Sequence, residues 1–385
     1  MAHPHILIIP PWFDIDYQHH FSKSYHRWAQ DLADEKGIKV GLLYGDFRLG
    51  IWSREIFQRS DLNYHYLGVR DWGLPKVGFG WRRWTRQYLR AFEQYVDRFG
   101  RPTVIHGFSL LGVIAAGVIH QAFQIPYVYT EVLGSMISGH VSTRLVRKAH
   151  MPVRKASLVS GISPEMTSAL NRAFGVNARL IPLYIDCERF HATPMPPGPV
   201  RFISIGSPAI TKGMDLLVSA MRQVAEALPL CHLTIVCEPR DESLLTNLIQ
   251  EHGLHDHITL RGPVPYEAIP GLLQDSHVLI SASREESFGY TMVEALATGR
   301  PVIASPSPGA KYIVAPHHGR IVREMRKRGE IDPEALAQTM IEVAGQLPDY
   351  VAEDMHGEIC HRFGKRRILE EWTEIYTQLS MKETG

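Results

Sequence analysis

Ser283-Arg-Glu-Glu-Ser-Phe-Gly-Tyr-Thr-Met-Val-Glu-Ala-Leu-Ala-Thr-Gly-Arg-Pro-Val302 reads as a loop, a short helix and the start of a strand. An apolar run at 277–281 feeds the loop, and the helix opens near Tyr290. Glu286 lies in the loop, and Glu294 follows eight residues later inside the helix. Gly289 lets the backbone approach a ligand closely. The first amides of the helix, on Tyr290 and Thr291, have no partner within it and form an anion site suited to a diphosphate. Gly299 then ends the helix, and the strand after Pro301 begins. Spacing alone gives Glu294 two equal readings, a ligand-binding carboxylate or a solvated helix residue.

Working outward, short apolar runs alternate with longer amphipathic stretches, the pattern of βα units and parallel sheets. Strands are predicted at 6–9, 40–44, 64–67, 103–106, 127–129 and 157–160, and again at 201–205, 232–236, 258–260, 278–280, 301–304 and 320–322. Between the two sets, His191-Ala-Thr-Pro-Met-Pro-Pro-Gly-Pro199 is too proline-rich for helix or strand and reads as a linker. The organisation expected is an N-terminal domain over 1–190, the linker 191–199, a C-terminal domain over 200–360, and a tail over 361–385 with a helical pattern, returning to the N-terminal domain. Two parallel-sheet halves joined by such a hinge imply a cleft between them, the usual place for a ligand.

The 385 residues exceed one ordinary core, which agrees with two domains. A net charge of +1 provides no basic field for nucleic acid. Cys187, Cys231, Cys237 and Cys360 show neither CxxC nor disulfide spacing, so they read as reduced thiols of a cytoplasmic protein. No apolar run approaches the roughly 20 residues of a membrane span. Asp14-Ile-Asp16 spells a metal–diphosphate motif that is common by chance, and His252, His255 and His257 read as solvated loop histidines, so no metal site is assigned. His19, His20 and His106 are candidates to face the cleft and carry a proton for an acceptor. From Trp81 to Phe99 the aromatics Trp81, Trp84, Tyr88, Phe92, Tyr95 and Phe99 share one helix face, with Arg82, Arg83, Arg86 and Arg90 crowding its first half. That pattern fits a core stripe with a basic back, or an interfacial helix on anionic lipid. Arg144, Arg147, Lys148, Arg154 and Lys155 add a second basic cluster.

The stretch 283–302 closely resembles the E-x7-E signature of retaining glycosyltransferases of family four, the group 1 enzymes, through Glu286, Phe288, Gly289, Glu294, Ala295, Ala297, Gly299, Pro301 and Val302. The resemblance implies the GT-B fold, an α/β architecture of two Rossmann-like domains facing each other across a cleft. It gives Glu286 the hydroxyls of a donor sugar and Glu294 the ribose of its nucleotide. Upstream, Phe202-Ile-Ser-Ile-Gly-Ser-Pro-Ala-Ile-Thr-Lys-Gly213 resembles the family's strand, Gly-Arg and Lys-Gly elements. Gly206 and Lys212 match, and Lys212 takes the place of the lysine that neutralises the donor diphosphate. Ser207 replaces the family's arginine. Ile181, Pro182, Asp186 and Phe190 match the domain-crossing segment, and Arg261-Gly262 fits the loop packed near the base.

The first half resembles transferases that build exopolysaccharides and lipid-linked saccharides. Ile6-Leu-Ile-Ile-Pro-Pro-Trp-Phe13 matches their opening strand, without the glycine-rich turn. Val104-Ile-His-Gly-Phe-Ser109 matches I-I-H-x-H at His106, and the strand ending at Thr130-Glu131 matches T-E-H, with Val132 replacing the last histidine. Lys311 replaces an acidic residue. The implied catalytic set is Glu286, Lys212, His106 and Glu131. The donor set is Gly206, Ser207, Lys212, Arg261, Glu286, Phe288, Gly289, Tyr290, Thr291 and Glu294. The function implied is retaining transfer of a sugar from a UDP- or GDP-sugar co-substrate to a saccharide or lipid-linked acceptor, with no cofactor and no metal. The place implied is the cytoplasm, at the inner face of the membrane, with peripheral contact to anionic lipid. Two other readings stay open: a sugar-nucleotide epimerase of the same fold, and a non-catalytic binding protein.

Overall fold

Fourteen strands form among the described residues of a computed structural model, which are 4–11, 20–34, 38–48, 53–72, 80–323 and 330–382. The chain divides into two units, Met1–Ile181 with Leu369–Gly385, and Pro182–Ile368. The first holds β1 (His5–Ile9), β2 (Lys39–Arg48), β3 (Glu55–Arg59), β4 (His65–Trp72), β5 (Val104–Phe108), β6 (Tyr127–Glu131), β7 (Leu158–Gly161) and β8 (Arg179–Leu180). Their order across the sheet is β3-β4-β2-β1-β5-β6-β7-β8. All pairs are parallel except β3 with β4. Every residue of β1, β5 and β6 is buried, as expected of parallel strands covered by helices on both faces. The sequence reading missed β3 and β8. Both are edge strands with exposed charged residues, Glu55 and Arg179 among them, and so lack the apolar run that marks a central strand.

The second unit holds β9 (Arg201–Ile205), β10 (His232–Val236), β11 (Ile258–Arg261), β12 (Val278–Ser281), β13 (Val302–Ala304) and β14 (Gly319–Ile321), all parallel, in the order β11-β10-β9-β12-β13-β14. This is a Rossmann order. The direction of winding reverses between β9 and β12, and ligands of such sheets bind beyond the carboxyl ends of the strands at that reversal.

The helix Gly80–Phe99 resolves its two readings. Trp81, Trp84, Tyr88, Phe92 and Tyr95 are buried in the first unit's core, while Arg82, Arg83, Arg86 and Arg90 are exposed. Tyr95 also shares a hydrogen bond with Nε2 of His5, at 2.8 Å. The aromatic face is therefore core, which is the first of the two readings, and the aromatics are not offered to lipid. A 3.6-residue apolar period reports a buried face without saying what buries it.

The proline-rich stretch 191–199 lies within the second unit. Buried Arg300 donates to the carbonyl oxygens of Thr193 (2.7 Å) and Pro194 (3.0 Å) and to Thr193 Oγ1 (2.6 Å). The boundary falls earlier than 190, after Ile181. In the tail helix Lys365–Lys382, Trp372 and Tyr376 are buried against Trp28 and His106 of the first unit. The reduced-thiol expectation is corrected for two cysteines. Cys187 and Cys360 form a disulfide with their Cα atoms 6.0 Å apart. Their separation of 173 residues hid the pair, which the fold assembles where Ile185 pairs with Gly364 and Lys365 meets Asp186. Cys231 and Cys237 remain free and buried. Asp14, Asp16 and His19 lie outside the described residues, as does the side chain of His20.

Candidate functional site

Two loops meet at the reversal point of the second sheet, one after β9 and one after β12. The first runs from Gly206 through Lys212 to Gly213, where the helix Met214–Ala227 begins. Gly213 has φ +67, and a Cβ on it would lie 2.0 Å from the carbonyl oxygen of Ala282 just past β12. Glycine here is what allows the two loops to touch.

Lys212 reaches across this junction and donates from Nζ to Glu286 Oε2 at 2.7 Å. Behind that pair stands a second one. The guanidinium of Arg284 binds both oxygens of Asp215 (2.8 and 2.8 Å) and donates through Nε to Glu330 Oε1 (2.7 Å). Its backbone N–H donates to the carbonyl of Thr211 at 2.9 Å. The hydrogen bonds to Asp215 raise the Arg284 pKa further. This bidentate clamp fixes the loop that carries Lys212 to the loop that carries Glu286. The sequence reading gave Arg284 and Asp215 no role. The available signal was an arginine in one loop and an acid in the first turn of the helix opened by the other.

Gly289, at φ +102, turns the second loop into the helix Tyr290–Ala297. Its first turn, with Tyr290 and Thr291, is only partly covered, and the positive end of the helix dipole lies there. Phe288 is buried, in edge contact with Tyr290 and Phe363, and anchors the loop. Glu294, one turn into the helix, is 5% exposed, which excludes the solvated reading. Gly206 lines the same first loop, and a Cβ there would meet the stem of Lys212. Ser207 is turned to Asp241, whose Oδ2 accepts from its hydroxyl at 2.5 Å.

Other expected residues lie apart from this cluster. Arg261 is exposed at the end of β11, the edge strand, two strands from β9. His106 is fully buried in β5 with both ring nitrogens engaged, by the hydroxyls of Tyr376 (2.6 Å) and Thr130 (2.8 Å). Desolvation pushes its pKa down to about 3, so it stays neutral at ordinary pH. Glu131 is also buried, and burial raises its pKa. Its Oε2 accepts from the Tyr129 hydroxyl (2.7 Å), and its Oε1 accepts from the amides of Val132 (2.9 Å) and Leu133 (2.8 Å). These geometries give both residues structural work in the first unit. Lys311 is exposed on the helix Pro308–Ile313.

Residues 188–344 match the family model "Glycosyl transferases group 1". The chain is 21% identical over 338 residues to a phosphatidylinositol N-acetylglucosaminyltransferase polypeptide of Arabidopsis thaliana, covering 84% of this chain and 73% of that protein. It is 26% identical over 231 residues to a glycogen synthase of Mycobacterium tuberculosis, covering 57% of this chain and 56% of that one. Among solved structures, sucrose-phosphate synthase from Thermosynechococcus elongatus superposes with a TM-score of 0.78 at 20% identity, covering 98% and 99% of the two chains. HepE of Anabaena, solved in complex with UDP and glucose, superposes with a TM-score of 0.72 at 17% identity, covering 98% and 100%.

Proposed function

This chain is a group 1 glycosyltransferase with the GT-B fold, and from that premise we propose that its second unit binds a nucleoside diphosphate sugar whose sugar is transferred, with retention, to a saccharide or lipid-linked acceptor held by the first unit. The observation that carries this reading is the Lys212–Glu286 pair, 2.7 Å apart at the carboxyl ends of β9 and β12, beside the start of the helix Tyr290–Ala297. A cation and a helix N-terminus together suit a diphosphate, and a carboxylate beside them suits sugar hydroxyls.

Donor binding then exchanges partners. The diphosphate takes Lys212 from Glu286, and Glu286 turns to the hydroxyls of the sugar. Glu294 holds the ribose. Lys212 and the helix dipole stabilise the charge that grows on the departing phosphate as the bond from the anomeric carbon to its oxygen breaks. The acceptor hydroxyl bonds to the anomeric carbon on the same face, and its proton passes to the leaving phosphate. No metal takes part in these steps. The UDP in the HepE structure makes a uridine nucleotide the first donor base to try.

The first unit is proposed to rest on anionic lipid through the helix Thr143–Lys155, which has no acidic residue and exposes Arg144, Arg147, Lys148, His150, Met151, Arg154 and Lys155. Lys148 lies over the Trp81 ring, 5.7 Å from its centroid, so this helix joins the exposed arginines of Gly80–Phe99 in one basic surface.

Titration of UDP and GDP by calorimetry, followed by transfer assays with UDP- and GDP-sugars on saccharide and polyprenyl-phosphate-linked acceptors, tests the reading. Proton NMR of the new glycosidic bond reports retention. Conversion of the donor to its epimer without acceptor assigns an epimerase instead. Donor binding with no turnover across the panel assigns a binding protein.

A further inference from the structure

In the second unit, outside the donor cluster, two adjacent histidines and a carboxylate converge. His317 and His318 close the turn that enters β14, and Glu358 lies in the helix Ala352–Phe363. His317 Nε2 is 2.7 Å and His318 Nε2 is 3.2 Å from the same oxygen, Oε2 of Glu358. One ligand atom from each residue lies within 4.8 Å of the other two, an arrangement with no second instance among the described residues.

The environment of His318 makes this more than a surface ion pair. Its side chain is 0% exposed, yet Nε2 has no hydrogen-bond partner. A buried polar atom left in this way is costly unless something satisfies it. Its Nδ1 has two partners that call for opposite tautomers: it donates to the carbonyl oxygen of Ile313 at 3.3 Å, or it accepts from the amide of Ala315 at 3.3 Å. Donation from Nδ1 to Ile313 leaves the lone pair on Nε2, aimed at Glu358. That is the tautomer in which a histidine ligates a metal, with its other nitrogen held by a carbonyl. Arg362 occupies the other carboxylate oxygen, Nη1 to Oε1 at 3.3 Å, and is itself tied to the carbonyl of Tyr312. Oε2 is thereby kept toward the histidines. With Nδ1 donating to Ile313, a proton on His317 satisfies Glu358 but leaves the lone pair of His318 Nε2 facing the same carboxylate oxygen; one cation between the three satisfies all of them.

We propose that His317, His318 and Glu358 form a binding site for a divalent transition ion of the zinc class, which ties the turn before β14 to the helix Ala352–Phe363. Two imidazoles and one carboxylate select zinc, cobalt or nickel over magnesium and calcium. For metal–ligand bonds near 2.0 Å, tetrahedral ligands stand about 3.3 Å apart, so His318 and Glu358 are already at that spacing and His317 has to move outward by about 0.6 Å. His317 is 62% exposed, which provides both that freedom and a route for the ion. Three protein ligands leave a fourth position for water.

The test uses the full-length, tag-free protein stripped with EDTA and titrated with Co2+, read by visible absorption, then with Zn2+ by calorimetry. The expected result is a single saturable site with tetrahedral cobalt bands that Zn2+ displaces. Loss of an outer partner alone costs about 10- to 100-fold in metal affinity, so removing a ligand, in His317→Ala or in Glu358→Gln, is expected to cost more than about 100-fold. Both side chains are partly exposed, and circular dichroism in EDTA establishes that both variants fold. Zn2+ should also raise the melting temperature of the parent and not of Glu358→Gln. Absence of saturable binding at micromolar metal overturns the proposal, as does binding that both variants retain at parental affinity.

Discussion

Glu286→Gln should separate nucleotide binding from transfer, in a direction set by the Lys212–Glu286 contact. Lys212 Nζ is already committed to Glu286 Oε2 at 2.7 Å, with side-chain exposures of 24% and 15%. A nucleoside diphosphate must displace that carboxylate before it gains the ammonium. Partly exposed ion pairs are worth about 0.2–1 kcal/mol, so removing the charge of Glu286 should leave UDP or GDP affinity unchanged or tighten it by up to about 5-fold. Lys212→Ala acts oppositely. It deletes a charge-assisted hydrogen bond of about 1.5–3 kcal/mol, which weakens the nucleotide by about 10- to 150-fold. Transfer should fall in both, and by about 100-fold in Glu286→Gln, because a mispositioned sugar loses its alignment with the acceptor. Calorimetry with the free nucleotide, paired with initial rates, measures both quantities. If Glu286→Gln weakens free nucleotide as much as Lys212→Ala does, Glu286 holds the nucleotide and not the sugar, and the exchange of partners is refuted.

Glu294→Gln should lower affinity for free nucleoside diphosphate by about 10- to 100-fold, since a ribose contact is present in ground and transition states alike; calorimetry on the variant is the check. Turnover should persist in EDTA, and equally so in Glu358→Gln, where a metal clamp can no longer confuse the result; loss restored by Mg2+ or Mn2+ would put a metal on the diphosphate. Replacing Arg144, Arg147 and Arg86 by Glu should abolish sedimentation with anionic vesicles at low salt while nucleotide affinity stays at the parental value, and the parent's own binding should weaken as salt screens it. Acid should destabilise the first unit through His106. Its pKa is about 3 when folded against 6.5 in the free side chain, so below pH 6.5 the unfolded chain binds the extra proton, and the neutral ring's contribution is lost as pH falls toward 3. At pH 4.5 this amounts to roughly 3 kcal/mol, which denaturant titration at pH 7 and 4.5 should show diminished in His106→Gln.

Much of this architecture was legible in the sequence because its signals are local. Arg201–Ile205 and His232–Val236 are apolar runs bounded by polar turns, and both strands form with those bounds. The two loops of the candidate site announce themselves through Gly206, Lys212, Glu286 and Gly289, glycines that allow a close backbone approach and charged residues that match the family motifs. What escaped was non-local. Arg284 meets Asp215 across 69 residues and Glu330 across 46, and Cys187 meets Cys360 across 173. No window of sequence contains those pairs. His106 and Glu131 entered the candidate set through the resemblance of their strands to I-I-H-x-H and T-E-H, and their partners are again non-local or out of sequence view: the hydroxyls of Tyr376 and Thr130 satisfy one, and the hydroxyl of Tyr129 with two backbone amides satisfies the other.

The substitution of Ser207 for the family's arginine acquires a physical sense from Asp241. An arginine after Gly206 would bring a second cation to the first loop, beside Lys212. Here that position carries a neutral hydroxyl bound to a carboxylate on the helix Pro239–Glu251. The side chains of Ser207 and Asp241 therefore contribute a net negative charge to the rim where a diphosphate is proposed to sit. The positive charge of that loop rests on Lys212, and the remaining attraction for an anion comes from the start of the helix Tyr290–Ala297. Arg284 does not supply the difference, because its guanidinium is divided between Asp215 and Glu330. A donor site built this way depends on one ammonium more heavily than a site with two cations, and it holds the leaving nucleotide less tightly once the sugar has gone. On the proposed reading, one cation in place of two is expected to speed release of the spent nucleotide and to make Lys212 the residue on which donor binding turns.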